Sequence, residues 1–276
     1  MQWVDIRLAA RLLLKYPALT IVGGLSMAVA VAALAGTFAI TENLLDPRLP
    51  MPGGERVVAV QNWDVTSGAP DGTRRRDYMM WRDELRSVEA LGAFASYERD
   101  VVRDEGASRT LRVAAVTSAA FEVVGISPLL GRHLGQADEA AQASKVVVIG
   151  SRVWEDLFAA SPGVIGQTLR IAGIPHEVVG VMPEEFRFPL NHAAWTPLQL
   201  DPSDSEGLTG PTISVFGLLA EGVDLDGAQA ELSVLGRRAA SASPQTHANL
   251  RPRVVPYAQQ WVGTSRLGYA GARLGL

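Results

Sequence analysis

Four histidines and several adjacent acidic pairs are the residues of this chain best suited to chemistry. The histidines are His133, His176, His192 and His247. A metal site carried by one helix or strand needs spacings such as His-x-x-x-His or His-x-His. No pair has either spacing, so a metal site would need tertiary assembly. Each histidine reads first as a surface or hydrogen-bonded structural residue. Acidic pairs occur at Asp83-Glu84, Asp138-Glu139 and Glu184-Glu185, among others. General acid–base work needs carboxylates converging on one bond. Adjacent helix positions diverge, so these pairs read as solvated turn or helix residues. Arg74-Arg75-Arg76 reads as a solvated helix start. The sequence holds no phosphate-cradling Gly-x-x-x-x-Gly-Lys-Ser/Thr, no dinucleotide-type glycine run after a strand and no Gly-x-Ser-x-Gly elbow. It also has no cysteine, which removes thiol catalysis, disulfides and cysteine-ligated metals. No catalytic residue, cofactor or metal is expected.

The elements that hold these residues begin with a membrane segment. The 276 residues are 47% hydrophobic and 20% charged, with a formal net charge of −4. That excludes disordered and disulfide-scaffold classes and leaves no basic excess for nucleic acid. Residues 1–18 carry Arg7, Arg11 and Lys15 against Asp5, while the rest of the chain is acidic. Residues 19–40, LTIVGGLSMAVAVAALAGTFAI, carry no charge. As a helix they would be about 33 Å long, enough for a ~30 Å hydrocarbon core. The basic flank puts the amino terminus in the cytoplasm and the bulk of the chain outside it. A cleaved signal peptide is the rival reading, but its apolar region is usually only about 7–15 residues. Gly24, Ala28, Ala32 and Gly36 recur on one helix face, and small residues there let another membrane helix approach closely. No later stretch is long and apolar enough to span.

Beyond a Pro-rich joint at 41–54, Arg56–Val60 reads as a strand. Tyr78, Trp81, Leu85 and Val88 follow helical spacing. Strands are expected at Gly92–Val102 and Arg109–Val116. Near the carboxyl end, Ile213–Leu219 reads as a strand. Asp224 caps a helix carrying Leu225, Ala228, Leu232, Leu235 and Ala239, and Arg253–Tyr257 closes the set. Together, 55–116 and 211–263 predict a discontinuous α+β sandwich subdomain with helices on one sheet face. Residues 117–210 predict an inserted, mainly β subdomain. Within it are a short helix at Ser118–Val124, a buried strand at Lys145–Ile149 and a helix through Val153, Trp154, Leu157 and Phe158. A hairpin is expected to turn at Gly173-Ile174-Pro175. Trp154→Ala is expected to cost about 3–5 kcal/mol if the indole is fully buried.

The middle segment carries an ordered series of blocks. Gly131-Arg132-His133 and Asp138-Glu139 are followed by KVVVIGSRVWEDLF at 145–158 and Gly166-Gln167-Thr168-Leu169. HEVVGVMPEEFRFP at 176–189 and Trp195-Thr196-Pro197-Leu198 complete it. Upstream, Asp77-Tyr78, Trp81-Arg82 and Glu89-Ala90-Leu91 fit the same pattern. This resembles the MacB-like periplasmic core domain of FtsX-type ABC transporter permeases, nearest to the duplicated orphan permeases. The resemblance runs from the basic leader to about Gly263.

The resemblance implies one amino-terminal membrane helix, a large extracytoplasmic domain and three later helices. Residues 264–276 stop where the family approaches its second span, so the chain reads as truncated against that pattern. It implies a non-enzymatic permease component in the cell inner membrane. Implied partners are membrane lipid, other permease transmembrane helices, a separate ATPase subunit and an envelope protein, with no nucleic acid. The domain would couple membrane-helix motion to envelope partners or substrates. A self-contained membrane-anchored periplasmic binding module is the alternative. An anchored hydrolase built from Asp, Glu and His is a third.

Overall fold

The computed structural model describes residues 25–31, 49, 51, 53–103, 108–199 and 212–262. The chain divides into two compact units, Met1–Arg48 and Leu49–Leu276. In the first unit, residues 25–31 are helical and expose Leu25, Met27, Val29 and Val31. Among the described residues, no helix is long and apolar enough to cross a membrane. The remainder of the expected 19–40 span lies outside the described residues.

The second unit is α+β and is built on one large sheet. Its strands are β1 (Val57–Asp64), β2 (Ala69–Asp71), β3 (Val88–Val102), β4 (Arg109–Val116), β5 (Leu130–Gly131), β6 (Val146–Gly150), β7 (Thr168–Ile171), β8 (Ile174–Met182), β9 (Ala194–Pro197), β10 (Ser214–Leu219) and β11 (Leu250–Pro256). The order is β11-β1-β10-β3-β4-β9-β6-β8-β5, with β2 on β1 and β7 on both β3 and β8. The helices are α1 (Arg75–Glu84), α2 (Ala119–Val124), α3 (Ser151–Phe158), α4 (Leu225–Ala242), α5 (Pro244–His247) and α6 (Tyr257–Val262).

One half is an open antiparallel sheet, β11-β1-β10-β3-β4. Alternation along β1 divides its residues between two cores. Val58 and Val60 join Tyr78 and Trp81 of α1 and Ala228, Leu232 and Leu235 of α4. Val57 and Ala59 join Phe121 of α2 and Phe186, Phe188 and Tyr257. Both sheet faces are therefore covered, α1 and α4 on one and α2 with the 182–190 segment on the other. Asp224 caps α4 as expected, its Oδ1 accepting from Gly227 N at 2.8 Å. Helix α4 runs so near β11 that a Cβ on Gly236 would sit 2.5 Å from Pro252 Cδ. The helical spacing Tyr78, Trp81, Leu85, Val88 overruns its helix. Helix α1 ends at Glu84, Leu85 is its C-cap, and Val88 opens β3. All four still share one core, which is why the spacing persists past the helix end.

The other half closes into a ring. Strand β3 pairs β4, β4 pairs β9 in parallel, β9 pairs β6, β6 pairs β8 in parallel, and β8 pairs β7. Strand β7 then returns to β3 at Val101↔Ile171 and Val102↔Arg170. Closure removes free edges. The shared core of this half includes Val101, Val113, Ile149, Leu169 and Val178, with Val153 and Phe158 of α3. At the opposite end of the sheet, the outer edge of β11 meets a side chain in place of a strand. Gln229 of α4 accepts from Val254 N at 2.9 Å and donates to Pro252 O at 3.1 Å. Its amide thus occupies the place a neighbouring peptide would take.

The β7–β8 hairpin turns one residue earlier than its sequence predicts. Ile171 pairs with Ile174, leaving Ala172 (φ 49°) and Gly173 (φ 80°) as a two-residue loop. Two positive φ values are what the right-handed twist of a hairpin asks of such a loop, and Asn-Gly fits them best. Alanine in the left-handed region costs about 1 kcal/mol. Ala172→Asn is therefore expected to stabilise the protein by about 0.5–1 kcal/mol, read as a higher midpoint in urea. A lower midpoint would mean that Ala172 is held by something other than its own backbone.

Candidate functional site

The start of the first strand of the second unit and the end of its last strand lie side by side. Val58 at the start of β1 pairs with Pro256 at the end of β11. Arg56 fixes the entry: its Nε donates to Leu219 O at 2.9 Å, and its Nη2 meets Glu89 Oε2 at 2.6 Å. The exit begins with Tyr257, the first residue of α6, which is buried to 1% exposure. Its ring packs on Phe188 at 5.1 Å and on Phe216 at 6.5 Å between centroids. The hydroxyl donates to Pro189 O at 3.0 Å.

That same 188–189 segment is held from the ring half of the sheet. Trp195 of β9, also 1% exposed, donates from Nε1 to Phe188 O at 2.9 Å. Phe186 meets Trp195 edge-on at 5.0 Å and stacks on Phe121 at 5.1 Å. An aromatic seam thus runs from the exit helix to strand β9. Its members gain from apolar burial and from edge-to-face contact, about 0.5–1.5 kcal/mol per pair beyond area. Trp195 is the fully buried one in this seam; Trp154 is only half-buried, its Nε1 donating to Ser161 O at 2.8 Å. The full-burial condition behind the 3–5 kcal/mol expectation for Trp154→Ala is not met.

The titratable groups form two clusters that the sequence did not bring together. His192 is buried, with Nε2 at 2.9 Å from Ser96 Oγ. Its Nδ1 accepts from Leu190 N at 3.3 Å. A nitrogen that accepts from an amide carries no proton, so Nε2 holds the proton and donates to Ser96. That is the wrong direction for activating a serine. Burial, with the nearby Arg112 charge as a lesser cause, pushes His192 down to about 4, so the ring stays neutral.

The second cluster is a chain of four. Asn62 Nδ2 donates to Asp77 Oδ2 at 2.8 Å, and His247 Nε2 meets Asp77 Oδ1 at 2.9 Å. Thr246 Oγ1 lies 2.6 Å from His247 Nδ1. The order carboxylate, imidazole, hydroxyl matches a nucleophile triad. Catalysis would also need donors poised for an oxyanion. The amides of Thr246 and His247 both donate to Ser243 O, and that of Ala248 donates to Pro244 O. Pro244 has none to give. The cluster satisfies buried polar groups and ties β1 and α1 to α5. Asp77 belonged to the sequence pattern; its partner His247 lies 170 positions away and carried no sequence signal.

Asp83-Glu84 and Glu184-Glu185 are exposed, as expected, and Asp138-Glu139 is half-buried. Asp138 takes two hydrogen bonds from Arg132, at 2.6 and 2.9 Å, and one from Gly135 N. The Arg132 bond holds its carboxyl below the usual range. Glu139 accepts from Ser118 N at 2.7 Å. Glu84 pairs with Arg238, and Glu184 with Arg152. Among the described residues, no group of three His, Asp or Glu is placed to hold a metal. Of the proposed membrane-packing face, Ala28 sits in the exposed 25–31 helix. Gly24, Ala32 and Gly36 lie outside the described residues.

With this geometry in place, comparison identifies the class. The chain belongs to the MacB-like periplasmic core domain family, whose model matches residues 18–235. Three solved structures share the fold. A domain assigned to a permease protein of Porphyromonas gingivalis aligns with a TM-score of 0.59 at 13% identity, covering 75% of this chain and 92% of that one. The periplasmic region of MacB from Actinobacillus actinomycetemcomitans gives 0.54 at 17%, covering 76% and 94%. The extracellular domain of the noncanonic ABC-type transporter YknZ from Gram-positive bacteria gives 0.52 at 14%, covering 72% and 99%. No curated protein sequence matches the chain significantly. The family is that of ABC transporter permease components.

Two outcomes follow from the seam. A histidine whose folded value lies below its unfolded value of about 6.5 binds its proton preferentially in the unfolded chain. Its contribution is complete above about 6.5 and is lost as pH falls toward 4. Stability should therefore drop by about 2 kcal/mol over that window, after allowance for partial solvent screening. Buried His176 is shifted down too, first by desolvation, and adds in the same direction. Urea midpoints against pH for the protein and for His192→Gln measure this; equal slopes would remove His192 as the cause. Separately, Tyr257→Phe deletes the bond to Pro189 O and should cost about 1–2 kcal/mol, since the carbonyl is left buried. An unchanged midpoint would mean that water replaces the hydroxyl.

Proposed function

We propose that this chain is a non-enzymatic part of an ABC-type permease of the cell inner membrane. Residues 19–40 span the membrane, with the amino terminus cytoplasmic and residues from 41 onward extracytoplasmic. Gly24, Ala28, Ala32 and Gly36 pack against other permease helices, and a separate ATPase subunit supplies the energy. The extracytoplasmic part carries helix motion to envelope partners. Within it, 117–210 form a mainly β insertion in the discontinuous 55–116 and 211–263 subdomain.

One observation supports this most. Entry and exit are adjacent, and the exit residue Tyr257 is packed into the seam that reaches Trp195. A displacement applied at the start of β1 and the end of β11 reaches β9 through packed aromatic side chains. Buried aromatic packing resists deformation and favours discrete arrangements over gradual yielding. This is a mechanical arrangement, and it needs no reacting group.

Because the chain lacks cysteine, single cysteines report cleanly. Val234→Cys, at a position 46% exposed on α4, should react with a membrane-impermeant maleimide in intact spheroplasts. Reaction only after lysis would overturn the topology. Coupling is read with a fluorophore on Ile174→Cys at the β7–β8 hairpin, where the native side chain is 51% exposed. In native membrane vesicles its emission should change on adding Mg-ATP, and less so in Tyr257→Phe. No nucleotide-dependent change would overturn the coupling role while leaving the topology result intact.

A further inference from the structure

Three hydrogen bonds hold the 188–192 segment in place. Phe188 O accepts from Trp195 Nε1 at 2.9 Å, Pro189 O accepts from Tyr257 Oη at 3.0 Å, and Leu190 N donates to His192 Nδ1 at 3.3 Å. The first two are indifferent to acid. The third needs a ring nitrogen without a proton. His192 also ties its segment to β3, through Ser96 Oγ at 2.9 Å from Nε2 and through Phe94, which its ring meets edge-on at 6.2 Å. The same histidine lines a cavity of about 260 Å³ with Ser151, Arg152, Glu184 and Arg187. The two arginines and the glutamate are exposed, so solvent protons reach the buried ring from there. The charges around the ring come from several elements: Arg112 of β4 opposite Glu98 of β3, Arg152 of α3, and Glu184 and Arg187 of the 182–190 segment. Arg152 and Arg187 both pair with Glu184. Burial first, and the Arg112 charge second, hold the proton affinity of His192 below the ordinary value; among the described residues no carboxylate offsets them.

We propose that His192 is an acid-operated latch: a proton entering through this cavity turns Nδ1 from acceptor to donor, sets it against the Leu190 N–H, and frees the 188–192 segment from β3 while the sheet stays folded. The segment belongs to no strand or helix. Such stretches open at lower free energy than core strands. It carries both carbonyls of the aromatic seam, so its release disconnects Tyr257 from Trp195 and β9. In the released segment the histidine regains its ordinary affinity, so protons favour the released form. After allowance for solvent screening, the released population should rise about tenfold from about pH 7 to about pH 5. As a control on coupling, the latch rests on the function proposed above, which places the domain where it meets external pH. The release itself rests on the bonds of the ring.

Backbone hydrogen exchange of the full chain in detergent, read by mass spectrometry and corrected for the intrinsic pH dependence of exchange, tests this. Peptides covering 186–193 should exchange about tenfold faster at about pH 5 than at about pH 7. Their rate should ignore low urea, the mark of local opening, whereas that of β1 should follow it. His192→Asn keeps an amide oxygen near the place of Nδ1 and cannot titrate, so its 186–193 protection should not change with pH. Arg112→Gln removes the repelling charge, and release should then begin at a higher pH. Melting curves at neutral pH establish that each variant is folded. If His192→Asn is not, Arg112→Gln, at an exposed position, takes its place. Exchange of 186–193 at the rate and urea dependence of β1 would overturn the latch, because the segment would then open only with the whole domain. Acid acceleration persisting in folded His192→Asn, or a release unmoved in Arg112→Gln, would do the same. Failure of the latch leaves the labelling and the nucleotide response at neutral pH as they are, and failure of the coupling role leaves the exchange result intact.

Discussion

Strand β3 has fifteen residues and three sets of partners, and the second unit depends on their compatibility. At about 3.3 Å per residue it extends for about 50 Å. Its first part pairs β10 from Val88 to Phe94, its middle and end pair β4 from Phe94 to Val101, and its tip pairs β7. One strand therefore belongs to the open sheet and to the closed ring together. Its pleat must serve both. Ala93 and Ala95 face the α1–α4 core, Phe94 faces the aromatic seam, and Val101 faces the ring core. A one-residue slip would invert all of these at once. Small residues at 93 and 95 leave room for Trp81 and Tyr78, and a large one at 94 fills the opposite face.

The two ends of the sheet solve the edge problem differently. The ring has no edge where β7 joins β3. At β11 the edge is blunted by Pro252 and Pro256, by exposed arginines and by the Gln229 amide. Each device discourages an incoming strand. Glu231, two positions along the same helix, performs a similar service inside the unit. Its two carboxylate oxygens accept from Arg86 N and Ser87 N, at 2.8 and 2.9 Å. Desolvation alone would raise its affinity for a proton. The bonds from Ser87 and Arg86 outweigh it and hold the group below its ordinary value. Helix α4 thus satisfies loose backbone groups on both sides of itself, which fixes it to the sheet beyond what its apolar stripe supplies.

Local chemistry made much of this legible. The Asp224 cap, the Ala228–Leu232–Leu235 stripe, the Lys145–Ile149 run and the β7–β8 hairpin are short-range features, and the sequence displays them directly. Their ends were less legible, because the forces that set them are tertiary. Val88 keeps helical spacing although it is a strand residue, since the core under α1 continues under β3. The hairpin turn is placed by the Ile171–Ile174 pair, which a search for Gly and Pro overlooks. What the sequence could not display was the parallel β4–β9 pairing and the return of β7 to β3. Both join segments about 70 to 80 positions apart, and both are decided by which apolar faces fit.

The polar clusters bear on why a domain of this kind suits mechanical work. In the Asn62–Asp77–His247–Thr246 chain every link has a partner, as does the ring of His192. An unsatisfied buried group would bias the fold toward some relieving rearrangement, at a cost of about 1–3 kcal/mol. A satisfied cluster resists local opening instead, and passes an applied load to the next element. His247 ties α5 to α1, Tyr257 ties α6 to the 188–189 segment, and Trp195 ties that segment to β9. The first two ties lie on helices adjoining β11, and the third reaches β9, five strands along the sheet. On the proposed reading, a push at the membrane side is shared between the helix layer and the seam, and the ring moves with both.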